Sequence, residues 1–153
     1  VNGSFVFGFD SDDADVFGHT VQFGIEARLE TATFTILTPY PGTLLHRKLD
    51  SEGRIVDRDW AHYDTTRVVY RPNLMSAAEL EAGYFQAYED FYSWSSILTR
   101  CRLSEPGAAK RLLLNTTYKK MEPAFSLLGK GLQAGWARPM MIWFAKPNRA
   151  GRR

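Results

Sequence analysis

The chain has 153 residues, 44% of them hydrophobic and 14% aromatic, with a net charge of +2. That is ample core material for one domain of usual size, and too small a basic excess for a nucleic-acid binder. The one cysteine, Cys101, excludes an internal disulfide and any multi-thiolate metal centre, and it favours a reducing, cytoplasmic setting.

Residues Ser4 to Phe9 are β-branched or aromatic at most positions, the pattern of a parallel strand buried on both faces. No basic-then-apolar leader is read at this end. Asp10-Ser11-Asp12-Asp13 supplies N-cap candidates and first-turn acids for a helix. That helix is expected to run to about Ala27, with Val16, Thr20, Phe23 and Ala27 on its buried face. A second strand follows from Ala32 to Thr38. A strand, a helix of that length and another strand predict a right-handed parallel crossover.

Pro39 and Pro41 stop the second strand, because neither can donate to a ladder. Thr43 is placed to cap a short helix from Leu44 to Leu49, and Gly53 to end it. Ile55 to Asp64 reads as a loop anchored by Trp60 and Tyr63. Val68 to Tyr70 reads as a short strand stopped by Pro72. From Ser76 the character changes. Ser76-Ala77-Ala78-Glu79 is a capping box opening a helix expected to reach Arg102, with Leu80, Tyr84, Ala87, Phe91, Trp94 and Leu98 at helical spacing. Ser104 to Gly107 breaks it. Further helices are expected over Ala108 to Met121 and Phe125 to Ala134. The apolar run Met140 to Ala145 is far short of the about 20 residues a membrane span needs.

Two motifs point to a ligand. Gly3-x-x-x-x-Gly8-Phe9-Asp10-Ser11-Asp12-Asp13 puts a glycine at the C-terminal end of a strand, where ligands bind in α/β folds and where backbone can approach them closely. The spacing matches neither a dinucleotide fingerprint nor a P-loop, and its carboxylates stand where phosphates would lie. A hydroxyl- or ammonium-bearing ligand suits it better; plain helix capping is the alternative. Thr38-Pro39-Tyr40-Pro41-Gly42-Thr43 is either a rigid turn or a pocket wall stiffened by two prolines. His19, His46 and His62 form no metal-ligand or triad pattern. The aromatic stripe Tyr84, Tyr88, Phe91, Tyr92 and Trp94 fits helix packing better than base stacking.

Taken together, Gly8-Phe9-Asp10-Ser11-Asp12-Asp13, the helix, and Thr35-Ile36-Leu37-Thr38-Pro39-Tyr40-Pro41-Gly42-Thr43 resemble the last two strands of the radical SAM partial (β/α)6 barrel. The closer resemblance is to the bacterial members with an N-terminal cobalamin-binding domain and a helical C-terminal extension. Leu44 to Leu49, Gly53-Arg54-Ile55, Trp60, Tyr63-Asp64 and Val68 to Pro72 continue the likeness, which fades after about Trp94. The resemblance implies an α/β fold, with a partial parallel (β/α) barrel fragment over 1–72 followed by an α-helical C-terminal extension over 73–153.

It also implies a cofactor-binding set of Gly3, Gly8, Phe9, Asp12, Leu37, Thr38 and Tyr40 beside the adenosyl group of S-adenosylmethionine. The family often has Gly-Phe-Pro-Gly-Glu after this strand; here Asp10 replaces the proline, Ser11 the glycine and Asp12 the glutamate. Members bind a 4Fe–4S cluster on a three-cysteine loop that this sequence lacks. The expectation is therefore the C-terminal part of a longer enzyme, whose N-terminal part is its partner. This chain would hold no cluster or cobalamin of its own, would have no catalytic residue and would be inactive alone.

The whole protein would generate a 5′-deoxyadenosyl radical and act on a small-molecule or lipid-like substrate, with cobalamin-dependent methyl transfer as one outcome. Docking of Met140 to Phe144 on a membrane surface is a weaker alternative to a packed helix end. Two other readings stand beside this one: a non-catalytic α/β-helical interaction module, and a Rossmann-type nucleotide enzyme, against which the missing glycine fingerprint counts.

Overall fold

The computed structural model describes residues 1–101, 107–117 and 119. The chain divides into two compact units, Val1–Asn115 and Thr116–Arg153; of the second, only residues 116, 117 and 119 are described. The expected helix over Phe125 to Ala134 and the apolar run at Met140 lie outside the described residues, as does the break at Ser104.

The first unit is mixed α/β. Strand β1 (Asn2–Phe7), helix α1 (Val16–Glu26) and strand β2 (Thr31–Ile36) form one βαβ unit. The strands pair in parallel from Asn2↔Thr31 to Phe7↔Ile36. After them come α2 (Leu44–Ser51), a 3-10 turn at Trp60–His62, α3 (Ala77–Phe91) and α4 (Trp94–Cys101). Residues 108–115 are again helical.

The two-stranded sheet has one covered face. Phe5, Phe7, Ala32, Phe34 and Ile36 point into the layer built by α1 and α3. Phe34 stacks on both Phe5 and Phe7, each at 5.6 Å between ring centres, and meets Phe91 of α3 edge-on at 5.9 Å. The helices lock through small residues: Phe17 of α1 sits on Gly83 of α3, and Phe91 of α3 sits on Gly24 of α1, where an added Cβ would lie 2.9 Å from its ring. Burial of these aromatics is the main stabilising term, at roughly 1.5–3 kcal/mol for each fully covered side chain.

On the opposite face Ser4 and Val6 are exposed, and Thr31, Thr33 and Thr35 are half-buried. The strand expected to be buried on both faces is therefore covered on one only, because no helix or strand among the described residues lies over the other. The buried stripe of α1 is also turned from the expected one. Phe17, Val21 and Gly24 face inward, whereas Phe23 is 59% exposed. The helix is rotated to seat Phe17 against Gly83.

Four further expectations change. Asp10 to Asp13 do not cap α1: the N-cap is Asp15, whose side chain makes no capping bond. The carboxylates of Asp10 and Asp12 are used elsewhere. Val68 to Tyr70 forms no strand, only an isolated antiparallel bridge between Tyr70 and Ile55. The long helix breaks at Tyr92–Ser93, where the Ser93 hydroxyl accepts from the Ser96 N–H at 3.3 Å and the Ser96 hydroxyl donates to the Phe91 carbonyl at 2.7 Å. The break turns Ile97, Arg100 and Cys101 inward and leaves Trp94 and Leu98 half exposed. Trp60, expected as an anchor, is exposed, while Tyr63 is buried.

Other expectations hold. The capping box is complete: the Glu79 N–H donates to the Ser76 hydroxyl at 3.1 Å and the Ser76 N–H to the Glu79 carboxylate at 2.7 Å. Thr43 caps α2 by accepting from the His46 N–H at 3.2 Å. Gly53 sits just past α2 with φ +65°, the left-handed conformation that suits glycine at a helix end. No helix among the described residues is long and apolar enough to cross a membrane.

Candidate ligand cleft at the strand ends

The C-terminal ends of β1 and β2 lie side by side, since the Leu37 N–H donates to the Phe7 carbonyl at 2.8 Å. A cleft of about 360 Å³ opens there, within the usual range of about 300–1,000 Å³ for small-molecule sites. Phe9 and Asp10 come to it from the turn after β1, Leu37 from the end of β2, Leu45 and Lys48 from α2, and Tyr70 from the later loop. One wall is thus apolar and the other charged.

The turn after β1 is fixed from both sides. Gly8 has φ +103°, a conformation nearly reserved for glycine. The N–H groups of Gly8 and Phe9 both donate to one Asp12 carboxylate oxygen, at 2.9 and 3.0 Å. The Tyr70 hydroxyl donates to the Gly8 carbonyl, and burial pushes that phenol above its ordinary pKa. The space that glycine leaves at position 8 is filled by Tyr70 and Leu80. The close approach signalled by Gly8 is an approach of the protein's own side chains.

Asp10 anchors the charged wall. Its two carboxylate oxygens meet the Arg54 guanidinium and the Lys48 ammonium, each at 2.7 Å. Hydrogen bonding from Arg54 and then Lys48 lowers the Asp10 pKa from 3.8 to about 2. Arg54 also meets Glu52 at 3.1 Å and donates to the Arg71 carbonyl at 2.8 Å. The Asn73 amide donates to the Asp10 carbonyl at 3.2 Å. These contacts tie the strand-end turn to α2 and to the segment before α3.

Of the seven residues expected at the cofactor, Phe9 and Leu37 line the cleft. Gly8 and Asp12 shape the turn that carries Phe9. Thr38 is buried and donates its hydroxyl to the Ile36 carbonyl at 3.0 Å, so it stiffens the end of β2. Tyr40 stands half exposed beyond it. Gly3 lies towards the other end of β1, six residues from Phe9 and so about 20 Å away along an extended strand; the space at its Cα is taken by Leu29 and Phe5. The structure thus brings six of these seven residues to one end of the sheet and leaves Gly3 apart.

Sequence reasoning missed Lys48, Arg54 and Tyr70. Leu45, Lys48 and Leu49 share one helix face by their spacing, the one local hint available. Cys101 is buried on α4 next to Asn115, far from the strand ends in the sequence. No group of three His, Cys, Asp or Glu side chains among the described residues can hold a metal ion. A 4Fe–4S cluster needs several thiolates, and the chain's one cysteine does not fit it. The cleft lining instead combines the apolar side chains of Phe9, Leu37, Leu45 and Leu49 with the charged Asp10 and Lys48.

The βαβ unit makes this a mixed α/β protein, with its cleft at the C-terminal strand ends where such folds bind ligands. Comparison with known proteins narrows the class. Residues 43–126, more than half of the chain, match the family model described as "Domain of unknown function (DUF4070)". Among curated proteins the chain is similar to bacteriochlorophyllide d C-12(1)-methyltransferase of Chlorobaculum tepidum, with 31% identity over 65% of this chain and 22% of the relative. It is similar to bacteriochlorophyllide d C-8(2)-methyltransferase of the same organism, with 27% identity over 78% of this chain and 26% of the relative. An uncharacterized methyltransferase of Pyrococcus horikoshii is 28% identical over 64% of this chain and 21% of the relative.

The chain therefore spans about a quarter of the length of the curated relatives it matches. No solved structure matches it. The chain belongs to the DUF4070 family, a domain found in cobalamin-binding radical SAM enzymes, and corresponds to the C-terminal part of such an enzyme.

Proposed function

We propose that this chain forms the adenosine-side wall of the S-adenosylmethionine pocket in a radical SAM methyltransferase. In this reading β1 and β2 are the last strands of a partial barrel over residues 1–72, and the helical extension that follows begins with α3, packed beside α1 on the covered face of the sheet. The rest of the protein would supply the other strands and the cluster-binding cysteines. The bare hydroxyl-bearing face of the sheet would then look into the barrel. S-adenosylmethionine with its cluster supplies a 5′-deoxyadenosyl radical, and cobalamin would serve as methyl carrier; the protein's task is binding and shielding. Methyl transfer is supported by the relatives, all named methyltransferases. The bacteriochlorophyllide substrates of two of them make a large apolar ring system a reasonable substrate class here.

One observation carries the proposal: Phe9 after β1 and Leu37 after β2 line the same cleft, together with Leu45 and the Asp10–Lys48 pair. Phe9 would lie against the purine, and Gly8, Asp12 and Thr38 would hold the two strand ends in place. Tyr40 would stand on the substrate side.

The test is titration of S-adenosylmethionine into the full-length, cluster-reconstituted protein. Replacing Phe9 by Ala removes much of the apolar wall and should weaken binding about tenfold, the equivalent of about 1.4 kcal/mol. Trp60→Ala, at an exposed residue that does not line the cleft, should leave binding unchanged. Equal affinity of Phe9→Ala and unmodified protein would refute the assignment.

A further inference from the structure

In a parallel strand the N–H and C=O of one residue point to the same side, and successive residues alternate between sides. On β2 the N–H of Leu37 reaches the Phe7 carbonyl at 2.8 Å and that of Thr31 reaches Val1 at 3.5 Å. Odd-numbered residues of β2 therefore face β1, and Ala32, Phe34 and Ile36 face the outer edge. Such an edge normally presents unpaired groups that invite another strand.

Here the row is taken up. The Tyr92 hydroxyl accepts from the Ala32 N–H at 3.1 Å and donates to the Ala32 carbonyl at 2.8 Å. The Tyr88 hydroxyl does the same for Phe34, accepting from its N–H and donating to its carbonyl, both at 3.1 Å. The Ile36 N–H donates to the Thr65 carbonyl at 2.7 Å.

The match is geometric. Tyr88 and Tyr92 are four residues apart on α3, about 6 Å along a helix. Ala32 and Phe34 are two residues apart on β2, about 6.6 Å along a strand. One helical turn therefore delivers one hydroxyl to each outward-facing residue, and each hydroxyl imitates the donor–acceptor pair of a neighbouring strand. The corresponding outward residues of β1, Asn2, Ser4 and Val6, have no backbone partner among the described residues.

We propose that Tyr88 and Tyr92 are sheet terminators: their hydroxyls occupy the outer edge of β2, so that no strand of this protein or of a second copy adds there. The sheet then grows at β1 alone. This holds whether or not the strand ends bind S-adenosylmethionine.

Tyrosine-to-phenylalanine substitution separates this role from packing, since it keeps the ring and deletes the oxygen. Amide hydrogen exchange would be followed in the full chain for Tyr88→Phe, Tyr92→Phe, the double variant and the half-exposed control Tyr40→Phe. Thr33 and Thr35, which face β1, serve as internal references. Exchange should rise about tenfold at Ala32 in Tyr92→Phe and at Phe34 in Tyr88→Phe, with Thr33 and Thr35 unchanged. The double variant should self-associate at concentrations where Tyr40→Phe matches the unmodified chain. The proposal fails if Ala32 and Phe34 are no faster than in the unmodified chain, or if the double variant associates no more than the unmodified chain. It also fails if all four amides speed up together, because the tyrosines would then hold the whole fold and not one edge.

Discussion

Arg100 gives the sharpest test of how the unit is held together. It lies 5% exposed with no carboxylate beside it among the described residues, and burial lowers its pKa from the ordinary value. Its guanidinium is matched by neutral acceptors instead. It donates to the Leu29 carbonyl at 2.8 Å, the Glu30 carbonyl at 3.1 Å, the Phe91 carbonyl at 2.8 Å, the Asn115 side-chain oxygen at 3.0 Å and the Ser96 hydroxyl at 3.1 Å. It also lies 3.8 Å over the Phe91 ring. One side chain thus joins the α1–β2 connection, the C-terminus of α3, α4 and the helix at 108–115. A cation at the end of α3 is also favoured by the helix dipole.

Arg100→Ala strips these acceptors unequally. The Phe91 carbonyl keeps the Ser96 hydroxyl and the Glu30 carbonyl keeps the Asn115 amide. The Leu29 carbonyl and the Asn115 oxygen lose the donors found here. One buried and one part-buried acceptor left unsatisfied cost about 1–3 kcal/mol each, and the cation–π contact and the cavity add about 1–2 kcal/mol. Release of a buried charge offsets part of this, leaving an expected loss of about 3–5 kcal/mol. Arg100→Lys keeps the charge but offers three donors from one point, and should recover about half. Equilibrium urea denaturation of the chain, read as a midpoint shift at constant slope, measures both. A loss below about 1 kcal/mol for Arg100→Ala, or full stability of Arg100→Met, would refute the reasoning, because the bonds would then not outweigh the cost of burying the charge.

Two further outcomes follow from the strand-end turn. Gly8→Ala forces a Cβ into Tyr70 and to 2.9 Å from Leu80 at φ +103°, so the same denaturation series should show a loss of about 2–4 kcal/mol; a change below about 1 kcal/mol would mean the turn can rearrange. Asp10 has a depressed folded pKa, so its contribution is complete above the ordinary value of 3.8 and is lost as pH falls through about 2. With its side chain 42% exposed, screening limits that contribution to about 1 kcal/mol; Asp10→Asn should remove it at pH 7 and flatten the acid limb of the stability curve, and an unchanged limb would count against the pairing.

The local signals were readable because each depends on residues a few positions apart. Ser76 and Glu79 are three apart, Thr43 and His46 likewise, and the strand–helix–strand order needs only its own periodicity. What escaped the sequence is set by distant partners. The inward face of α1 follows Phe17 because Gly83, on another helix, leaves room for it; nothing between Val16 and Glu26 signals that. The periodicity of Trp94 and Leu98 continues that of α3, so the break at Ser93 was invisible until Arg100 had carbonyls to reach. Lys48 and Arg54 lie 38 and 44 residues from Asp10, and no local pattern marks charges that meet across such separations. The barrel reading came from the resemblance and not from the strands, since two strands are compatible with several α/β sheets.

The cleft wall owes its shape to groups of this chain. Asp12 takes the N–H groups of Gly8 and Phe9, Tyr70 takes the Gly8 carbonyl, and Arg54 with Lys48 takes both oxygens of Asp10. A loop that had to order itself around a ligand would lose about 1–2 kcal/mol of backbone entropy per residue at the moment of binding. Here that loss falls within folding, so a ligand meets a wall already set. The same commitment restricts what the wall can do. One Asp12 carboxylate oxygen and the Gly8 and Phe9 amides are occupied, so in the proposed reading recognition at this end would rest mainly on the apolar surfaces of Phe9, Leu37 and Leu45. Such surfaces would select for a flat or apolar group of the right size and discriminate weakly between its polar substituents, which would place the burden of polar specificity on whatever faces this wall across the cleft.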